Sequence, residues 1–376
     1  MSGQPKNTGF PTNGAEPSPG FSYWETKGWL SEPDAVVVGA GLVGMNAALR
    51  LKEKHPHWRV VMVDQASLGG ATTRNAGFAC FGSPSELLDD WNTLGPKATV
   101  ELVRMRWQGL QALRSMWGDE ALGYRPCGAV EAFTDNTEWT RCTTALPMLN
   151  DALSEVFGQA PFREVPSGPT GLRAVAGTIA SPMEGDLDTA KMATALRHSL
   201  YQQDIALVSG VRIESLTRSS SWTLKTSMGT LTSPRVLVCN NGWASDLLDV
   251  EVSTTPNVVV VSEPMANLAL TSTVHHDRGY VYAREIDGRI LIGGGRHWDC
   301  SSEDERIQRL TAWAEAHISG VDAFRVAHCW IGQLGVGPHR QPVVKEVEPG
   351  LFAGVRLGGM GVAIGTLVGR ELADLV

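Results

Sequence analysis

The stretch Ala35-Val36-Val37-Val38-Gly39-Ala40-Gly41-Leu42-Val43-Gly44 runs an apolar segment into a G-x-G-x-x-G loop, and a second apolar segment ends in Asp64, 20 positions beyond Gly44. Strand, glycine loop, helix, strand and terminal acid, in that order, make a dinucleotide-binding βαβ unit. Gly39 permits the tight turn, Gly41 lets the backbone approach a pyrophosphate, and Gly44 lets the helix lie close to the strand. The helix start presents free N–H groups and the positive end of a dipole to phosphates. Asp64 is positioned to accept hydrogen bonds from ribose hydroxyls.

Outward from this unit, Asp64 is followed by Gln65 and then by Gly69-Gly70-Ala71-Thr72-Thr73-Arg74-Asn75-Ala76-Gly77-Phe78. That run is too small and too polar for a core. Its hydroxyls, amides, guanidinium and close backbone N–H groups suit an extended second contact with a long cofactor. A nicotinamide dehydrogenase normally passes from its glycine loop into regular α/β alternation instead. At the far end of the chain, Leu351-Phe352-Ala353-Gly354-Val355 reads as a strand, Arg356-Leu357-Gly358-Gly359-Met360-Gly361 as a glycine turn, and 362–375 as a final helix. A second strand, glycine turn and helix implies that both ends of the chain meet around one ligand, with another electropositive helix start.

Between these ends, residues 85–116 and 137–157 have helical spacing, the latter with an interruption expected near Pro147. Residues 188–203 read as a helix with Asp186 or Asp188 as N-cap. Strands are expected at 129–133, 205–208, 211–216, 222–226, 229–232, 235–239, 258–262, 279–284 and 289–292. Residues 1–30, rich in Gly, Pro, Ser and Asn, read as an arm pinned by Phe21, Tyr23 and Trp24. The 376 residues, 43% hydrophobic and 19% charged, suit two joined domains. A net charge of −8 without a basic run argues against a nucleic-acid binder. Six dispersed cysteines form no C-x-x-C, which disfavours zinc-ribbon and thioredoxin chemistry, and no metal is expected. No long apolar span or signal-peptide segment is seen, so a soluble, cytoplasmic protein is expected.

At these residues the chain resembles the D-amino-acid oxidase-like family of FAD-dependent oxidoreductases, which includes glycine oxidase, sarcosine oxidase and gamma-glutamylputrescine oxidase. The resemblance rests on residues 37–44 and 70–77, on Val236-Leu237-Val238-Cys239-Asn240-Asn241-Gly242-Trp243, on Ile290-Leu291-Ile292-Gly293-Gly294-Gly295-Arg296, and on Gly358-Gly359-Met360-Gly361-Val362. Ser22-Tyr23-Trp24-Glu25 looks like the entry segment of the gamma-glutamylputrescine oxidase branch. The resemblance implies an α/β fold: a Rossmann-type, glutathione-reductase-like FAD-binding domain built from 31–85, 170–245 and 322–376, and a mixed-sheet α+β substrate domain built from 86–169 and 246–321.

It further implies that Gly39, Ala40, Gly41, Leu42, Val43 and Gly44 hold the pyrophosphate of FAD; non-covalent attachment is expected separately, because the 72–77 loop has no histidine and an unreactive cysteine is the default for Cys329. Asp64 and Gln65 would lie at the adenosine ribose. Thr72, Thr73, Arg74, Asn75, Gly77 and Phe78 would run towards the flavin. Val211 would frame the adenine, and Asn241 and Gly242 would close that pocket. Gly358, Gly359, Met360, Gly361 and Val362 would meet the flavin's pyrimidine edge, and Gly332 and Arg356 are further expected cofactor contacts. The family oxidises C–N bonds: a hydride passes from the carbon beside the nitrogen to flavin N5, and the imine left behind hydrolyses. The implied partner is therefore a small amine or amino acid.

On the substrate side, Tyr282 and Arg284 are expected on one face of a strand, and Arg296 and His297, after the 293–295 turn, near the cleft, with His328, Cys329, Gln333, His339 and Arg340 as weaker candidates. Two departures from the family stand out. Its usual Gly-His-Gly is Gly359-Met360-Gly361, and Arg356 replaces a common glycine. Val362 and Ala363 also lack the basic anchor of the sarcosine oxidase branch, which disfavours sarcosine and nominates Arg356 as a substitute charge. The electron acceptor and the oligomeric state stay open. So do two other readings, an NAD(P)-dependent dehydrogenase and a non-catalytic flavin-binding protein.

Overall fold

The structure, a computed structural model, describes residues 20–68 and 70–376. Most of the expected arm (residues 1–19) and Gly69 lie outside the described residues. Of the three aromatic residues expected to pin the arm, Phe21 does so: its N–H donates to the Met228 carbonyl (3.0 Å), and its ring packs beside the core. Tyr23 and Trp24, on the short helix Tyr23–Lys27, are 67% and 78% exposed.

A six-stranded sheet carries the N-terminal unit. Its order is Val343–Glu348, Leu351–Val355, Val236–Val238, Ala35–Val38, Val60–Asp64 and Ala206–Ser209, and only the Val343–Glu348 edge strand is antiparallel. The strands read as unbroken apolar runs because both faces are covered. Ala35, Val37, Val60 and Met62 pack on the helical side, with residues of Leu42–Lys54, Thr189–Gln202 and Gly361–Asp374. Val36, Val38, Val61 and Val63 pack on the other side, against the antiparallel sheet Ile213–Arg218, Trp222–Thr226 and Gly229–Ser233. This is the Rossmann-type α/β arrangement expected from the sequence.

The two chain ends interlock by close backbone approach. A Cβ built on Gly44 would lie 2.0 Å from the Gly39 carbonyl oxygen, and one on Gly369 2.3 Å from that of Val43. Only glycine lets Leu42–Lys54 sit tightly on its strand and lets Gly361–Asp374 sit tightly on Leu42–Lys54.

The second sheet is mixed and eight-stranded. Its order is Val326–Val336, Ser253–Ser262, Arg289–Gly294, Val281–Ile286, Thr273–His276, Ala129–Phe133, Gly177–Ser181 and Arg163–Val165. Thr273–His276 and Ala129–Phe133 pair in parallel; the other pairs are antiparallel. Two of these strands, Gly177–Ser181 and Val326–Val336, fall within segments expected to belong with the cofactor-binding sheet. The helix Pro96–Trp117, expected on the substrate side, packs through Leu110 and Leu113 into the core beneath the parallel sheet.

Other local expectations also shift. The helical stretch 85–116 is two helices, Pro84–Leu94 and Pro96–Trp117, broken at Gly95, whose φ of +84° no helix accommodates. Pro147 does not interrupt Asn136–Phe157; burial of Cys142, Leu146, Leu149 and Leu153 along one face outweighs the lost backbone bond. Asp188 is the N-cap of Thr189–Gln202, accepting from the Ala190 and Lys191 N–H groups, whereas Asp186 pairs with Arg125. Among the described residues no helix is long and apolar enough to cross a membrane.

Candidate active site

A cavity of about 700 Å³ is lined by residues of both large sheets. Two helix starts open onto it. Gly41, Leu42 and Val43 begin one, and Met360, Gly361 and Val362 begin the other. Neither helix has a side-chain cap on its N-cap residue or an acid in its first turn. Two positive dipole ends therefore converge on one space, the arrangement that receives an anionic group. Thr72 Oγ1 accepts from the Leu42 N–H (2.8 Å), which ties the 70–77 segment to the glycine loop. Asp64 steadies the loop from the next strand, accepting from the Ala40 N–H (2.5 Å) and the Ala66 N–H (2.7 Å).

Most expected cofactor contacts are brought together here. Gly39, Gly41, Leu42, Val43, Asp64, Gln65, Thr72, Arg74, Asn75, Phe78, Val211, Asn241, Gly332, Gly358, Gly359, Met360, Gly361 and Val362 all line the cavity. Five others sit behind its wall. Ala40 faces Asp64 through its N–H, and Gly44 supports the helix. Thr73 Oγ1 donates to the Gly70 carbonyl (3.2 Å). Gly77, at φ +76°, lies against the Arg284 guanidinium and the Leu187 carbonyl. Gly242 packs on Thr254 and the Leu334 carbonyl.

Two expected catalytic arginines are placed elsewhere. Arg356, at φ +65°, directs its guanidinium to the Gln341 and Glu251 carbonyls (2.9 and 3.4 Å), and its side chain is not part of the cavity wall. Its N–H and that of Leu357 donate to Asn241 Oδ1 (3.0 and 3.2 Å), so it shapes the turn through its backbone. Arg284 is buried behind the 70–77 segment, where it meets the Leu187 carbonyl (3.1 Å) and Asp186 (3.4 Å). Tyr282 does line the cavity and accepts from Asn257 Nδ2 (2.7 Å). His297 lines it too, held by Asp277 (2.6 Å) and packed on the Tyr280 ring. Cys329 sits exposed on its strand, away from the cavity.

Side chains that the sequence reading did not single out, Glu86, Arg106, His275 and Cys80, also line the cavity, and Asp90, Glu131 and Glu184 stand beside them. Glu86, buried on the helix Pro84–Leu94, meets Arg106 (3.2 Å) and Arg340 (2.8 Å). Burial pushes its carboxyl up, but the two guanidiniums outweigh burial and hold it below the usual range. Asp90, one helical turn on, is pushed up to about 6 by burial and by Glu86. His275 lines the cavity and shares a hydrogen bond with Glu184 (3.1 Å), which also accepts from the Phe81 and Gly82 N–H groups (2.9 and 3.3 Å). Burial lowers the affinity of His275 for its proton, but the Glu184 carboxylate reverses that, so the imidazole sits above its ordinary value. Behind it Glu131, opposite His275 across the parallel strand pair, accepts from Ser83 and Ser85; burial raises its carboxyl to about 7. Cys80 completes this group, its thiol raised by burial and its sulfur 3.9 Å from Met360 Sδ.

One signal for these residues is present in the sequence. Glu131 interrupts an otherwise apolar run, Ala129-Val130-Glu131-Ala132-Phe133, and an acid inside a strand buried on both faces needs partners. Glu86 and Asp90 carry no such mark, since acids four apart on a helix are ordinary on a solvated face.

Comparison with known proteins agrees with this geometry. The curated relatives include the bifunctional protein ThiO/ThiG of Synechocystis sp., 21% identical over 322 residues, covering 82% of this chain; the chain spans 46% of that protein's length. They also include a probable oxidoreductase, OrdL, of Rhizobium meliloti, 23% identical over 407 aligned positions, covering 95% of this chain and 88% of that one. Among solved structures, glycine oxidase from Geobacillus kaustophilus superimposes with a TM-score of 0.74 at 20% identity, covering 92% of this chain and 94% of that one. Iminodiacetate oxidase from Chelativorans sp. BNC1 does so with a TM-score of 0.68 at 21% identity, covering 90% and 94%. Residues 34–375 match the family described as FAD dependent oxidoreductase (DAO), and the chain belongs to that family of FAD-dependent oxidoreductases.

Proposed function

We propose that this protein oxidises the C–N bond of a small amine or amino acid, with FAD held non-covalently between the two chain ends. The observation that carries the reading is the convergence of two helix starts, one from each end of the chain and neither with an acid in its first turn, on a single cavity that polar side chains also line. When bound, FAD supplies the two-electron acceptor, and the oxidised substrate leaves as an imine that water hydrolyses. The residues present fit that cofactor. The 39–44 loop and the start of Leu42–Lys54 receive the pyrophosphate, where a Cβ on Gly41 would crowd Thr72 Oγ1 at 3.2 Å. Asp64 takes the adenosine ribose and Val211 borders the adenine. The start of Gly361–Asp374 lies at the pyrimidine edge, where its dipole favours added negative charge. The parallel sheet with the 70–77 segment acts as the cofactor-binding part, and the eight-stranded sheet supplies the substrate wall.

The names of the similar proteins support an amine or amino-acid substrate: glycine oxidase, iminodiacetate oxidase and an L-proline dehydrogenase share this fold. The test is an anaerobic screen of the purified yellow protein against amines and amino acids. Bleaching of the flavin by one class of these compounds is expected. Bound flavin that none of them reduces points to a non-catalytic flavoprotein and overturns the reading. Acid precipitation is expected to leave the yellow colour in the supernatant; colour in the pellet contradicts non-covalent attachment.

A further inference from the structure

Three buried side chains beside the cavity come from three separate segments. Cys80 directly follows the strand Phe78–Ala79, Glu184 directly precedes Gly185–Asp186, and His275 lies on Thr273–His276. Phe78–Ala79 pairs antiparallel with Gly185–Asp186, Ala79 opposite Gly185, so one further step of that register sets Cys80 opposite Glu184. The Cys80 sulfur, a Glu184 carboxylate oxygen and a His275 ring nitrogen all lie within 4.8 Å of one another, and the three residues are 7%, 1% and 5% exposed. The Phe81 and Gly82 N–H groups donate to Glu184 Oε1 (2.9 and 3.3 Å), which leaves Oε2 for His275 Nε2 (3.1 Å). That separation is close to the roughly 3.3 Å between two donors that each stand about 2.0 Å from one tetrahedral ion. The Phe78 ring meets the His275 ring edge-on, with centroids 5.5 Å apart, and so limits its rotation. Among the described residues, the hydrogen-bond partner of the Cys80 thiol is Met360 Sδ (3.9 Å), a weak acceptor. The surroundings favour positive charge. Burial, then Glu184 and Glu86, keep the thiol protonated, and Arg106, itself held by Glu86, opposes them. Burial works against charge on His275, but Glu184, Glu131 and Glu86 all favour it.

We propose that Cys80, His275 and Glu184 form a binding site for one zinc-type divalent cation, its open fourth position facing the cavity that Cys80 and His275 line. A thiolate, an imidazole and a carboxylate, each on or beside a strand, make a three-ligand set for zinc. The same set disfavours magnesium, which takes oxygen donors in an octahedron. Binding breaks the S–H bond of Cys80, and that proton leaves to solvent. The proton between Nε2 and Oε2 leaves as well or moves to Nδ1. One S–Zn, one N–Zn and one O–Zn bond form, and no electron is transferred. The site goes beyond the amine-oxidation reading and does not depend on it. The expectation of no metal rested on the absence of a short cysteine motif; these ligands stand at 80, 184 and 275, where no spacing rule marks them.

The test takes the full yellow chain, cleared of loosely held metal with a chelator, and dialyses it to equilibrium against zinc chloride, with metal and flavin both quantified. One zinc per chain is expected, with a Kd of about 1 μM or tighter and release of about one to two protons. Magnesium chloride in about 1,000-fold excess should not displace it. Cys80→Ser, close to isosteric, is expected to weaken zinc binding at least about 100-fold with flavin content and melting temperature unchanged. His275→Gln should weaken it as much, whereas Cys329→Ser, at an exposed thiol, should leave it unchanged. Alkylation of the wild type needs no variant: zinc should slow modification of Cys80, mapped by mass spectrometry, and not that of Cys329. A yellow wild type that retains no zinc overturns the proposal, as does equal affinity in wild type and Cys80→Ser. Zinc lost with Cys329→Ser alone marks a surface thiol and overturns it too. Bleaching of the flavin by amines bears on the oxidation reading alone, so either can fail without the other.

Discussion

Two parts of the cavity lining are built from different materials. The proposed cofactor side is largely backbone: glycine loops, helix starts and close approaches between the chain ends, with Asp64 holding the Ala40 N–H. Another part of the lining is side chain: Glu86, Arg106, Arg340 and His275, backed by Asp90, Glu184 and Glu131, gathered from helices and strands far apart in sequence and mostly buried. Backbone geometry tolerates no substitution at a few positions but carries no tunable charge. A buried side-chain network depends on each of its paired charges and sets both stability and pH response.

The sharpest way to break the comparison is at Arg106. It is 1% exposed and meets Glu86 (3.2 Å) and the Phe81 carbonyl (2.8 Å). Arg106→Met leaves Glu86 with Arg340 alone and is expected to cost about 3–5 kcal/mol in urea unfolding; a loss below about 1 kcal/mol would show that the network does not hold this wall together. On the backbone side, Gly44→Ala forces a methyl onto the Gly39 carbonyl. The expected cost is about 1–3 kcal/mol, with a protein that purifies without flavin, and a yellow protein of normal stability speaks against the tight loop.

The networks also differ in their response to pH. Burial pushes the Glu131 carboxyl up to about 7 from its ordinary 4.5, so the folded state holds its proton more tightly than the unfolded state. The contribution of Glu131 is fully present below about 4.5 and is lost as pH rises towards 7. Relative to Glu131→Gln, the wild type should lose about 1–3 kcal/mol of stability across that window. Parallel stability curves for the two proteins would exclude this titration. The smallest effect is expected at Arg356. Its side chain lies off the cavity and its φ is +65°, so Arg356→Gly should keep the rate of flavin reduction within about twofold and change stability by less than about 1 kcal/mol. A large fall in reduction rate returns Arg356 to the chemistry.

The same contrast explains what was legible beforehand. The 39–44 loop, Asp64 and the 358–361 turn follow from local rules, because a backbone conformation needs its glycines in fixed order. The meeting of the chain ends follows from finding two such units. Arg284 and Arg356 were misplaced because a residue's position along a strand or beside a turn does not reveal which neighbour captures its guanidinium; Asp186 and the Gln341 carbonyl do so here. The pairing of Glu86 with Arg340 joins residues more than two hundred positions apart and has no local mark.

The central claim is that the first and last glycine turns grip one flavin between them. A diffraction map of the yellow protein tests it most directly. The account predicts continuous density for FAD, with its pyrophosphate at the start of Leu42–Lys54 and its ring system at the start of Gly361–Asp374. Flavin density that touches only one of these helix starts, or that lies outside this cavity, would contradict it.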